Sequence, residues 1–200
     1  VLLCVAVFVL NTAFSQLLTW SPQFPTETST ITITVDATKG NQGLLGVTSG
    51  VYMHLGVLTN LSNGSSPWKY VPAACVWGTT TAPAATAAGT NKWTFTITNP
   101  RTFFNVPAGE TITKVALLFR DANANPSLVK KQANTDGSDM YIPLYTAGAS
   151  AIQITAPPVV PTFIGTNETT TTTAGSIVPV TAASSISGNL VLNFNGTDIA

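Results

Sequence analysis

Residues 28–36, TSTITITVD, alternate strictly: Ile31, Ile33 and Val35 fall on one parity, Thr30, Thr32 and Thr34 on the other. A helix would scatter these side chains around its circumference. An extended chain, whose side chains alternate with period two, sorts them into an apolar face and a hydroxyl face. This stretch therefore predicts a half-buried strand. Residues 50–57, GVYMHLGV, repeat the pattern, with Val51, Met53, Leu55 and Val57 on one face and Tyr52 and His54 on the other. In KWTFTIT, residues 92–98, Trp93, Phe95 and Ile97 oppose three threonines. ITKVALLFRD, residues 112–121, is more continuously apolar, as expected of a central strand covered on both faces. DMYIPLY, residues 139–145, carries a proline, which favours an edge strand.

KGNQG, NLSNGS, VPAGE and NTDGS separate these runs and supply Gly or Asn where a turn needs positive φ. No window shows a sustained helical period beside a capping signal. Short strands between turn signals predict an all-β fold, an immunoglobulin-like β-sandwich over residues 16–150. A boundary is expected beyond it, at the proline-rich APPVVPTF and the low-complexity TNETTTTTAG. Alternation resumes in GNLVLNFNGTDIA, where Leu190, Leu192 and Phe194 share a parity and Asn195-Gly196 is a strong hairpin signal. Residues 151–200 are thus expected to hold a linker and the start of a second β domain. That domain is expected to be truncated, with the natural protein continuing beyond Ala200.

The opening VLLCVAVFVLNTAFSQ runs apolar from Val1 to Leu10 and ends in small residues around Phe14. It reads as a signal peptide over residues 1–15, cut after Ser15. It is too short for a helical membrane span, which needs about 20 residues. With no methionine before the apolar run, the sequence is expected to begin inside a precursor. A secreted or cell-surface location follows. Cys4 falls in this leader, leaving Cys75 as the sole cysteine of the mature chain and no internal disulfide. Cys75 reads as a small buried hydrophobe.

Eight basic and eight acidic side chains cancel, which argues against a nucleic-acid partner. The one adjacent basic pair, Lys130-Lys131, reads as a solvated turn. His54 is the only histidine, and no nucleophile elbow accompanies it, so a hydrolytic triad has no support. No pair stands out among the acids for glycosidase chemistry. DANAN, residues 121–125, only superficially resembles a calcium loop: Pro126 and Gln132 stand where Gly and the bidentate Glu belong. A hairpin loop after Arg120 explains it better. No catalytic residue, metal site or cofactor is expected in these residues.

The aromatic residues remain. By parity Tyr52 and His54 point away from the core face of their strand, Trp68 and Tyr70 share a side, and Trp77 follows closely. These five could form an exposed patch that stacks on the apolar face of a sugar, with the imidazole bonding a hydroxyl. The competing explanation is burial inside a sandwich. It is preferred for Trp93, which shares a face with Phe95 and Ile97; Trp77 fits either explanation. For His54 the rival is a solvated surface histidine.

These residues carry a resemblance. AFSQ at the leader end, VYMHLGV, WKYVPAACVWG, WTFTI, FFNVPAGETITKVALLFRDANAN and DMYIPLY together resemble the amino-terminal region of secreted multidomain bacterial alpha-amylases of glycoside hydrolase family 13. The likeness covers nearly all of residues 1–150 and extends to starch-binding modules, and the region after Ala151 resembles the start of a second immunoglobulin-like domain. It implies a platform of His54, Trp68 and Trp77 with Tyr52 beside it, an α-glucan polysaccharide as partner, and downstream domains carrying a catalytic barrel absent here. The chain is therefore expected to be a non-catalytic carbohydrate-binding module of an exported amylase-type enzyme. The alternative is a structural spacer or adhesion domain of a secreted surface protein, with no sugar affinity.

Overall fold

A computed structural model describes residues 16–77, 83–123 and 125–198. The expected signal peptide, with Cys4, lies outside these residues. The described chain is almost wholly β, built from antiparallel pairs. Its strands are β1 (Leu18–Ser21), β2 (Thr30–Asp36), β3 (Tyr52–Thr59), β4 (Thr86–Ala87), β5 (Lys92–Thr98) and β6 (Ile112–Arg120). There follow β7 (Lys131–Gln132), β8 (Met140–Pro143), β9 (Ile152–Ala156), β10 (Thr181–Ser184), β11 (Asn193–Phe194) and β12 (Thr197–Asp198).

One sheet has the order β1-β2-β5-β4. Its β2–β5 register places Thr32 opposite Thr96 and Thr34 opposite Thr94, their hydroxyls 3.4 and 3.3 Å apart. Such cross-strand pairs each contribute about 0.2–1 kcal/mol and leave this face wet. On the opposite parity Ile31, Ile33, Val35 and Ile97 are fully buried, Trp93 is nearly so and Phe95 is half-buried. The second sheet is centred on β6, with β3 on one side and β7 and β8 sharing the other. Its inward residues Met53, Leu55, Val57, Val115, Leu117, Phe119, Met140 and Ile142 join those of the first sheet in one core. The two sheets thus form a sandwich, and full burial of each large aliphatic side chain contributes about 1.5–3 kcal/mol.

Among the described residues strand β8 pairs with β6 alone and ends on Pro143, an edge position as expected. The stretch after Arg120 is indeed a hairpin loop, with Arg120 opposite Lys131 across its base. Two short helical turns were not foreseen. α1 (Pro100–Phe103) has Asn99 as N-cap, accepting from the Thr102 amide, and proline at its first position. Both are start signals legible in NPRT. The other is a single 3₁₀ turn at Ala73–Cys75.

Residues 151–163 lie against the sandwich. The Pro161 carbonyl accepts from the Tyr141 amide at 2.8 Å, and the Gln23 amide donates to Gln153 at 2.5 Å. β9 pairs with β10. The Asn195-Gly196 hairpin forms, both residues at positive φ, but its first strand is only Asn193–Phe194. Leu190 and Leu192, expected on a longer strand, find no partner strand among the described residues and are exposed.

Candidate aromatic cleft

The outward parity of the second sheet carries Tyr52, His54, Gly56 and Leu58 on β3, Ala116, Leu118 and Arg120 on β6, and Tyr141 on β8. This face is not bare. Residues 65–77 cross it as a strap. Val57 and Lys69 exchange backbone hydrogen bonds of 3.0 and 2.8 Å, which fastens the strap beside β3. Trp68 then rests on the floor made by Gly56 and packs against Leu58, Ala116 and Tyr141. Gly56 and Ala116 are direct cross-strand partners, and their small size makes room for the indole.

Glu110 holds the strap at one end. Its carboxylate accepts from Lys69 Nζ, Thr59 Oγ1 and Tyr70 Oη, each at 2.6 Å. These bonds, the lysine first, hold its pKa down to about 2. At the other end Cys75 is buried, and His54 Nδ1 stands 2.6 Å from the Cys75 carbonyl. A carbonyl only accepts, so Nδ1 carries the proton and the neutral ring leaves Nε2 as an acceptor. Burial holds the His54 pKa below its ordinary value; the Cys75 carbonyl and Asp139 oppose that effect, and Arg120 reinforces it.

The rings meet here. His54 stacks on Trp68 with centroids 4.8 Å apart and planes at 28°, and meets Trp77 edge-on at 5.4 Å and 76°. Trp77 Nε1 donates to the Pro126 carbonyl at 3.2 Å, tying it to the β6–β7 loop. The three line a cleft of about 410 Å³ with Ser66, Pro67, Val71, Leu118, Lys131 and Asp139. Cavities of this size hold small ligands. Burial raises the Asp139 pKa, while Lys131 and His54 draw it back.

The structure thus brings together His54, Trp68 and Trp77 but not all five predicted rings. Tyr70 departs because its φ is +52°, which breaks the parity that an extended chain would keep. It turns to Glu110 and packs, half-buried, against the main hydrophobic cluster. Tyr52 keeps its outward parity, yet it lies opposite Arg120, whose guanidinium sits 5.7 Å from the ring centroid, and it does not line the cleft. Nor are the cleft's rings a flat platform, since Trp77 stands almost perpendicular to His54. They form walls.

Asp139 and Lys131 were missed. Lys131 belongs to β7 rather than to a free turn, and its ammonium donates to the Gly137 carbonyl at 3.0 Å. Asp139 shares parity with Tyr141, a signal available in DMYIPLY but masked by its place at a strand end. Among the described residues no group of three or more His, Cys, Asp or Glu could hold a metal ion. Among them, too, no helix is long and apolar enough to cross a membrane. The chain matches no known protein-family profile, and no curated protein shows significant similarity to it.

Proposed function

We propose that this chain is a non-catalytic carbohydrate-binding module. The observation that carries this reading is the convergence of His54, Trp68 and Trp77 with Asp139 on one cleft. Indole surface packs against the C–H faces of a sugar ring, while carboxylate oxygens and a neutral imidazole Nε2 accept from its hydroxyls. An α-glucan as ligand, an immunoglobulin-like affiliation, and export as part of an amylase-type enzyme rest on the resemblance of residues 1–150 alone. In such a parent the module acts by effective concentration: a tethered site keeps the enzyme on its polymer.

Electrophoresis of the chain through gels containing soluble starch tests this. The expected result is retardation that Trp68→Ala and Trp77→Ala each reduce. One observation favours the spacer reading: His54 uses a ring face on Trp68, so these aromatics also seal the sheet. Unretarded migration, or equal retardation of the variants, leaves that reading.

A further inference from the structure

The cleft does not end at Asp139. A second cleft, of about 570 Å³, begins at the same residue and is walled by Ser65, Asp136, Tyr141, Thr162 and Phe163 among others. Ser65 and Ser66, adjacent in the chain, line one cleft each. The aromatic contacts run through both. Trp77 meets His54, His54 stacks on Trp68, Trp68 packs against Tyr141, and Tyr141 meets Phe163 at 5.7 Å and 74°. Register explains the continuity. Gly56, Ala116 and Tyr141 are neighbours on β3, β6 and β8, so the indole lying over the two small residues abuts the phenol.

We propose that the two clefts are one groove, which holds an uncharged α-glucan of several linked sugars with Phe163 as the stacking ring at its far end. The proposal rests on the carbohydrate-binding reading and extends it from a single subsite to a chain. Three features favour this occupant. The far cleft offers acceptors, the Asp136 and Asp139 carboxylates, beside the Ser138 and Thr162 hydroxyls; a polyhydroxylated chain supplies the matching donors, whereas an anionic polymer would be repelled. The Ser138 hydroxyl and amide both donate to Asp136, which keeps it ionised. Phe163 is 37% exposed although Tyr141 and the Lys114 ammonium both contact it, so the ring is held while part of its surface stays open.

Calorimetric titration of the chain with maltotriose and maltoheptaose separates the outcomes. The wild type is expected to bind the longer oligomer about tenfold more tightly, the scale of one added stacking contact. Phe163→Ala should retain maltotriose affinity and lose the gain, and Phe163→Tyr should restore it. Equal affinity for both oligomers, or an undiminished gain in Phe163→Ala, overturns the extended groove while leaving the first cleft as a binding site. No binding of either oligomer by the wild type overturns both.

Discussion

Trp68 lies so close over Gly56 that a Cβ at residue 56 would stand 2.9 Å from the Trp68 Cβ and 3.2 Å from its ring. Val71 Cγ2 would be 3.0 Å away. The Trp68 Cβ is fixed to the strap's backbone, so it can yield only if the strap lifts off the sheet. Gly56→Ala is therefore expected to destabilise the fold by about 1–3 kcal/mol, the usual cost of overpacking. The midpoint of urea unfolding, followed by tryptophan fluorescence, measures it. An unchanged midpoint would show that the strap can shift freely.

His54 makes the outer face sensitive to pH. Burial lowers its folded pKa, so the unfolded chain takes up the proton first. The stability that its neutral ring contributes is complete above about pH 6.5, the ordinary imidazole value, and is lost as pH falls through the lowered folded value. Denaturation midpoints measured from pH 7.5 down to pH 5 should decline in the wild type. In His54→Gln that decline should be absent.

Glu110 acts in a lower window. With its folded pKa near 2, it contributes stability above the ordinary carboxylate range that is lost as pH falls through about 2. Glu110→Gln should weaken the fold at neutral pH and flatten the acid limb. The same variant should change Tyr70, whose phenol pKa is raised by donating to this carboxylate. Ultraviolet titration of the tyrosines is expected to show one phenol ionising at lower pH in Glu110→Gln.

Cys75 should be inert while the protein is folded. Burial pushes its thiol pKa up to about 11, so little thiolate exists at neutral pH. In a Cys4→Ser background, a thiol-specific chromogenic reagent at pH 8 is expected to react only after denaturant is added. Rapid reaction with the native chain would mean that the 3₁₀ turn opens readily.

The strands of the sandwich were legible because one inner face is buried and a strand's side chains repeat every second residue. Ile31, Ile33 and Val35 announce their own burial, and Lys92–Thr98 forms the strand its alternation predicts. The outward placement of His54 followed from the same rule. Tyr70 did not, because parity assumes an extended backbone and φ is positive there. β1 escaped notice as well: four residues are too few to establish a period.

What the amino-acid order determined by itself is local: alternation, turn chemistry, the Asn195-Gly196 hairpin and the Asn99 cap each need only near neighbours. The cleft is a matter of long-range register. Trp68 reaches its floor because Gly56 and Ala116 pair across two strands. Asp139 joins His54 only when β8 docks beside β6, and Phe163 reaches Tyr141 only because Pro161 bonds the edge of β8. Such contacts between residues distant in the chain leave no periodic trace in the sequence, so only the folded sheet could assemble them.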